Sequence, residues 1–378
     1  MAAALPRILV LSEIPTPYRL PFFARLANRP EFDLELVFCA SEEPDRPWEI
    51  DAALADVPHR VLGGIKVPIR TRRDIFVYEI NPGIVSLLAR SRYDAVVVGG
   101  YSVFAEQAAI AIARLRRIPY ALHSETTLFK PRSHAVRLAK RALVGPLITN
   151  AAVGLAAGTA AAAYLESYGL PTARIRIVPN AIDVESYGRR ADSARKRATA
   201  IRVELGLPDR FVAFVGRLVE GKGVTDLLEA IRTLGPAAPT LVVAGEGPLT
   251  NEVRGTPNVV HLGFLQQERV IELLALADWT IVPSRFETWG VAVNEALACG
   301  CPVIVTDAVG SHVDLVVDGV NGRVVPSQAP AMLAAAIAGP RPSGDPSRGR
   351  IEQWNYEFAV EQFVDAMRLA LHGKLTAA

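Results

Sequence analysis

Short β-branched runs alternate with helical hydrophobic periodicity along the whole chain, and the alternation starts afresh near the middle. That grammar calls for βα units and parallel sheets, an α/β fold wound twice. In the first half it predicts strands near 7–12, 33–39, 94–98, 119–123, 151–157 and 175–178, and helices near 18–28, 82–90, 103–116, 132–143 and 159–168. Pro179-Asn180-Ala181-Ile182-Asp183 breaks the rhythm, and an arginine-rich stretch from Arg189 to Arg202 follows. The second half predicts strands near 211–216, 240–244, 259–262, 279–282, 302–305 and 323–325, and helices near 224–234, 267–276, 290–299 and 330–338. Residues 339–350 carry too much proline and glycine for either element. Over 355–372, Phe358, Phe363, Met367 and Leu371 recur at helical spacing.

A length of 378 residues suits two domains of this kind. The expected division is residues 1–183, 184–350 and a terminal helical segment 351–378. Ligands of open α/β sheets bind beyond the carboxyl ends of the strands, so a central cleft faced by both domains is the default site.

The formal charge of +2 is too small to make nucleic acid the main partner. Cys39, Cys299 and Cys301 lie in apolar runs without CxxC spacing, which reads as buried reduced thiols in a cytoplasmic protein rather than zinc ligands or a disulfide. Between Arg141 and Glu166 stand 24 residues without a charge. That length would span a bilayer, but the run is mostly alanine and is broken by Gly145, Pro146, Asn150, Gly154 and Gly158, so a strand followed by a helix is expected.

The most informative segment runs from Phe211 through Gly216, Arg217, Gly221 and Lys222 to Gly223, followed by an apolar helical pattern. Strand, glycine turn, two cations and a helix start make a diphosphate grip. The glycines admit backbone amides, the dipole favours an anion, and Arg217 and Lys222 supply a planar fork and a point charge. Two surface cations at a strand end are the plainer alternative. Gly216 to Lys222 also spells all but the last residue of a P-loop, yet Gly223 lacks the hydroxyl that such a loop gives to magnesium. Gly245-Glu246-Gly247 and Gly263 read as ordinary βα turns.

The second key segment runs from Pro283 through Glu287, Gly290 and Glu295 to Gly300. The first amides of its helix, at Gly290, Val291 and Ala292, lack intrahelical acceptors and can receive phosphate. Glu295 lies among Val, Ala and Leu, where a carboxylate needs hydrogen-bond donors. The vicinal hydroxyls of a ribose would supply them; a structural ion pair with arginine is the alternative. Glu287 is placed to bind a donor-sugar hydroxyl or to support charge at the anomeric carbon. A hydrolytic carboxylate pair is disfavoured, because one member is expected to be buried beside the diphosphate grip.

With these residues in order, the chain resembles family 4 of the retaining glycosyltransferases, of GT-B fold. The resemblance covers about 175–326: the Gly216-Arg217 to Lys222 turn, Val-Ala-Gly245-Glu-Gly-Pro, His261-Leu-Gly-Phe-Leu265, the Glu287-x7-Glu295 pair, and Gly300-Cys-Pro-Val-Ile-Val-Thr306. It implies a nucleoside-diphosphate sugar bound mainly by the C-terminal domain, a UDP-sugar ahead of a GDP-sugar, and no metal or other cofactor. Arg217 and Lys222 would neutralise the leaving diphosphate, Glu295 would hold the ribose, and backbone near Leu265 would read the base. The terminal helix would cross back to the acceptor-binding N-terminal domain.

In the first half, His123 stands where the family often keeps a histidine against the donor sugar; a satisfied loop histidine is the alternative. Where the family commonly has a Gly-Gly loop after its first strand, this chain has Glu13-Ile-Pro-Thr-Pro17-Tyr18-Arg19. Tyr18, Arg19 and Glu125 are therefore assigned to the acceptor side.

The acceptor itself is a glycan, a lipid-linked sugar or a small molecule. Arg132, Arg137, Lys140 and Arg141 give the 132–143 helix a basic side, and Arg70, Arg72 and Arg73 make a basic loop. They suit peripheral association with the inner face of an anionic membrane, or else a solvated face. The sequence leaves oligomeric state open. Two rival functions are kept: a sugar-nucleotide epimerase of similar fold, which would turn over donor without acceptor, and a non-catalytic nucleotide-sugar binding module, which would bind donor without acceptor-dependent release of nucleoside diphosphate.

Overall fold

The computed structural model describes residues 4–41, 57–70, 75–130, 133–342, 349 and 351–371. It resolves into two compact units, one formed by Met1–Thr126, Pro131–Ala181 and Tyr356–Ala378, the other by Thr127–Lys130 and Ile182–Asn355.

The strands of the first unit are β1 (Arg7–Ser12), β2 (Asp33–Phe38), β3 (His59–Val61), β4 (Ile65–Arg70), β5 (Ile75–Ile80), β6 (Ala95–Val98), β7 (Tyr120–Ser124), β8 (Val153–Ala156) and β9 (Ile175–Ile177). Seven form a parallel sheet in the order β3-β2-β1-β6-β7-β8-β9, while β4 and β5 pair as an antiparallel hairpin. Alternation along β1 shows why its strands are apolar on both faces. Ile8 and Val10 enter one core with helix Leu20–Ala27 and helix Tyr356–Ala370. Leu9 and Leu11 enter the other with helices Gly83–Arg90 and Phe104–Leu115. Phe363 of the terminal helix meets Phe22 and Phe32 edge-on at 6.0 and 6.1 Å, and the Tyr356 hydroxyl donates to the Tyr18 carbonyl at 2.8 Å.

The second unit has a six-stranded parallel sheet of β10 (Phe211–Val215), β11 (Thr240–Ala244), β12 (Val259–Gly263), β13 (Trp279–Val282), β14 (Val303–Thr306) and β15 (Gly322–Val325). Their order is β12-β11-β10-β13-β14-β15. In each sheet the order reverses once, between β1 and β6 in the first and between β10 and β13 in the second. Loops leaving neighbouring strands there diverge to opposite faces and open a crevice for ligand.

Three sequence expectations need correcting. The arginine-rich stretch 189–202, to which no element was assigned, forms parts of two helices, Val184–Lys196 and Ala198–Leu205. Tyr187, Ala191, Ala194 and Ile201 form a thin buried stripe that the surrounding charge hides, and Asp183 caps the first helix by accepting from the Ser186 amide at 2.9 Å. The helix expected at 132–143 runs from His134 to Thr149, through Gly145 and Pro146. Its end is secured by Thr149 and Asn150, whose side chains donate to the Gly145 and Pro146 carbonyls at 3.0 and 2.7 Å. Strands β3, β4 and β5 were not expected; β3 is short and exposed along its length, and β4 carries Pro68.

Among the described residues no helix is long and apolar enough to cross a membrane. The uncharged run Arg141–Glu166 divides instead into the end of one helix, β8 and helix Thr159–Ser167. All three cysteines are free and buried. Arg72, Arg73 and Arg132, the side chain of Arg70, and most of 339–350 lie outside the described residues.

Candidate functional site

At the reversal point of the second unit, the turn after β10 and the segment after β13 are clasped together. Gly223 makes this possible. Its φ is 70°, and a Cβ there would lie 1.9 Å from the Pro283 carbonyl oxygen, so only glycine admits so close an approach. The Arg285 amide donates to the Gly221 carbonyl at 3.0 Å. The Arg285 guanidinium then grips Asp226 through both carboxylate oxygens, at 2.8 and 2.7 Å, and Thr225 Oγ1 at 2.9 Å. Asp226 and Arg285 were not singled out from sequence; a cation three residues after a strand carries no signal of its own until the fold supplies its partner.

This clasp brings Lys222 to Glu287, and Lys222 Nζ donates to Glu287 Oε2. Arg217 stands two residues beyond β10 on the same turn, with its side chain exposed. Gly216 packs against the neighbouring glycine turn: a Cβ on Gly245 would fall 1.9 Å from the Gly216 carbonyl oxygen. Glu287 is fixed from the far side too. Its amide donates to the Ala308 carbonyl and its carbonyl accepts from the Gly310 amide, both at 3.0 Å.

Gly290 starts helix Val291–Ala298. The Gly290, Val291 and Ala292 amides stand at that helix start, beside the clasped turn, where a helix offers unpaired donors. Trp289 is buried, with Nε1 donating to Asn294 Oδ1 at 2.9 Å.

Glu295 lies within the same helix and accepts from the Tyr187 hydroxyl, which reaches Oε1 at 2.9 Å. Burial pushes its carboxyl up to about 7, and only the bond from Tyr187 pulls the other way. Gln267 Nε2 donates to the Tyr187 hydroxyl at 2.8 Å, linking Glu295 to the start of helix Gln267–Leu276. Leu265 is half-buried two residues before Gln267, so the loop expected near a base and the glutamate expected near a ribose are joined through Tyr187. Sequence reasoning missed Tyr187, which stands just before the arginine-rich stretch with no motif around it. The arginine partner considered for Glu295 is not what the structure provides.

The first unit brings together a second set. Tyr18, Arg19, Phe22, His123, Pro179 and Asn180 line one small cavity at the carboxyl ends of the strands. Asn180 Nδ2 donates to Glu125 Oε1 at 2.9 Å, placing Glu125 at its edge. His123 is buried, its ring donates to the Gly99 carbonyl, and burial aided by Arg19 lowers its pKa to about 3. The ring is therefore neutral at physiological pH.

Beside it, at the reversal point between β1 and β6, Glu106 is wholly buried and accepts from the Ser102 and Val103 amides at 2.7 and 3.3 Å through Oε2. Its Oε1 has no hydrogen-bond partner among the described residues and presses on Gly99 and Gly100. Burial, with the Glu13 charge adding to it, raises this carboxyl to about 7. Among the described residues no three or more His, Cys, Asp or Glu side chains gather as a metal site.

Two family models match the chain: "Glycosyl transferases group 1" over residues 198–339, and "Glycosyl transferase 4-like domain" over 16–181. A D-inositol 3-phosphate glycosyltransferase from Xylanimonas cellulosilytica is 31% identical over 196 residues, covering 49% of this chain and 46% of that protein. The sulfoquinovosyl transferase SQD2 of Arabidopsis thaliana is 29% identical over 268 residues, covering 65% of this chain and 48% of its own length. The chain thus spans about half the length of these curated relatives. The Anabaena protein Alr3699/HepE, solved in complex with UDP, superposes with a TM-score of 0.70 at 17% identity, over 96% of this chain and 99% of that one. At that identity the likeness establishes the fold, two Rossmann-like domains of GT-B type.

Proposed function

We propose for this chain, which belongs to the group 1 glycosyltransferases of family 4 and GT-B fold, the transfer of a sugar with retention from a nucleoside-diphosphate donor to an acceptor hydroxyl. The observation that carries the reading is the Lys222–Glu287 contact. It joins the loops after β10 and β13 at the reversal point, which supports a reading in which the cationic turn, the helix amides and both glutamates serve one donor.

In this reading the donor diphosphate takes Lys222 from Glu287 and also meets Arg217 and the amides of Gly290, Val291 and Ala292. Glu295 accepts from the ribose hydroxyls, and the loop at Leu265 meets the base. The UDP in the Anabaena protein favours a uridine nucleotide. The bond from the anomeric carbon to the phosphate oxygen breaks and the acceptor oxygen bonds to the same face, while its proton passes to the departing phosphate. Cationic side chains and amides, rather than a metal, stabilise that phosphate, and Glu287, released from Lys222, turns to the donor sugar. The first unit holds the acceptor at Tyr18, Arg19, Asn180 and Glu125, with neutral His123 as a hydrogen-bonding group toward the sugar.

Preorganised charge on the leaving group is the largest contribution expected, so Lys222→Ala should lower kcat/KM by about 10²–10³, or roughly 2–4 kcal/mol of barrier. The assay is acceptor-dependent release of nucleoside diphosphate, after a thermal-shift panel has identified the donor. A Lys222→Ala protein within a few-fold of wild type would remove the assignment. Release of a free sugar-nucleotide isomer without acceptor would replace transfer with epimerisation.

A further inference from the structure

Helix His134–Thr149 is amphipathic, yet its first ten residues bury neither side: all are exposed but half-buried Lys140. His134, Arg137, Lys140 and Arg141 share one side; Ala135, Val136, Leu138, Ala139, Ala142 and Leu143 fill the other. A soluble protein buries the second side and wets the first. Here the cationic side is exposed as well, at His134, Arg137 and Arg141, while Lys140 Nζ stands 5.6 and 5.1 Å from the rings of Tyr101 and Tyr164 and Arg141 Nη1 reaches the Ser167 carbonyl at 3.5 Å. The apolar side faces outward, with Val136 50%, Leu138 63% and Leu143 75% exposed. Only beyond Leu143 does the helix enter the core, through Gly145 and Ile148.

We propose that this outward apolar face docks the protein on an anionic lipid bilayer. An exposed apolar stripe of this kind marks a surface that something covers. Charge selects the bilayer as the occupant. Residues 133–149 hold two arginines, a lysine and a histidine and no Asp or Glu. Exposed His134 and Arg141 line the margin beside Leu138, with exposed Arg137 on the same side, where long side chains reach phosphate headgroups while the leucines enter the acyl boundary. Ser133 holds the helix start by accepting from the Val136 amide, so the face is formed before it meets lipid. The inference does not rest on the transferase reading, because it concerns binding and needs no donor.

The test is flotation of the full chain with vesicles of phosphatidylcholine alone or mixed with phosphatidylglycerol. The wild-type protein floats with the anionic vesicles and less with the neutral ones. Replacing Leu138→Asn and Leu143→Asn together, both on the surface and checked for unchanged thermal unfolding, lowers the bound fraction about tenfold or more. Arg137→Glu with Arg141→Glu abolishes the preference for phosphatidylglycerol. Wild type that stays unbound in both vesicle types, or a double asparagine variant that floats like wild type, overturns the proposal. A concentration-dependent dimer in light scattering that the asparagine pair dissolves would give the face to a second copy of the chain and overturn it equally.

Discussion

The Tyr187 hydroxyl donates to Glu295 Oε1 at 2.9 Å, and through that bond a helix to which the sequence assigned no role reaches the glutamate proposed to hold the ribose. Tyr187 is itself buried, and Gln267 donates to it from the next helix in space. Glu295 is thereby held by one donor while its surroundings resist its charge. A carboxyl poised near neutrality by burial is well placed to gain most from the two hydroxyls of a ribose, which would stabilise the charged form.

Tyr187→Phe removes that donor at little cost in volume. Because the Tyr187 bond is the influence that lowers the Glu295 pKa, its loss moves the carboxyl further above about 7. At pH 7 a smaller fraction is then ionised, and donor KM should rise about tenfold, with kcat changed less. The rise in KM should shrink as pH is raised, and a 2′-deoxyribonucleotide donor should show less of it. An equal loss for both donors at every pH would make Tyr187 a packing residue only.

Lys222 and Glu287 pair in the protein without donor, so a diphosphate must compete with a carboxylate for the ammonium group. Glu287→Gln weakens that competitor. Nucleoside diphosphate should bind several-fold more tightly, by about 1 kcal/mol for a partly buried charge pair, while kcat falls because the carboxylate proposed to face the sugar has gone. Titration calorimetry with the diphosphate alone separates the two effects. Weaker diphosphate binding in Glu287→Gln would mean that the carboxylate organises the grip instead of opposing it.

Most of the sheet architecture was legible because parallel strands buried on both faces read as plain apolar runs, and the strands β10 to β15 coincide closely with their expected positions. The same property hid the arginine-rich helices, whose buried stripe is only Tyr187 and a few alanines wide. Motif spacing pointed to Lys222 and Glu287 separately; only the fold showed that Gly223 and Arg285 press their loops together. Glu106 carried no motif at all. Its place at the start of helix Phe104–Leu115 makes it an ordinary capping residue, and its unmet oxygen is visible only once Gly99 and Gly100 close over it.

His123 should behave as a neutral ring throughout the working range. Burial and the Arg19 charge lower its pKa to about 3, so protonation begins only well below the usual histidine range. Nuclear magnetic resonance of the ring should show no titration of His123 between pH 5 and 8, and the pH–rate profile should carry no limb that disappears in His123→Asn. A titration near 6.5, the ordinary value, would show a ring open to water and would weaken its assignment to the sugar.

Glu106 gives a prediction about stability whose sign is fixed. Its folded-state pKa is raised from 4.5 to about 7, so the folded protein binds this proton more tightly than the unfolded chain does. The contribution is fully present below about 4.5 and is lost as pH rises through about 7, amounting to at most about 3 kcal/mol between those limits. Glu106→Gln keeps an acceptor for the Ser102 and Val103 amides but has no proton to lose. Urea unfolding of both proteins should show the variant gaining on wild type by up to about 3 kcal/mol between pH 5 and pH 8, whatever its offset at pH 5. The comparison cancels the other titrating groups, Glu295 included, because both proteins carry them. A difference that stays constant across that interval would mean that Glu106 is already charged in the folded protein, its second oxygen reached by water or by a partner outside the described residues.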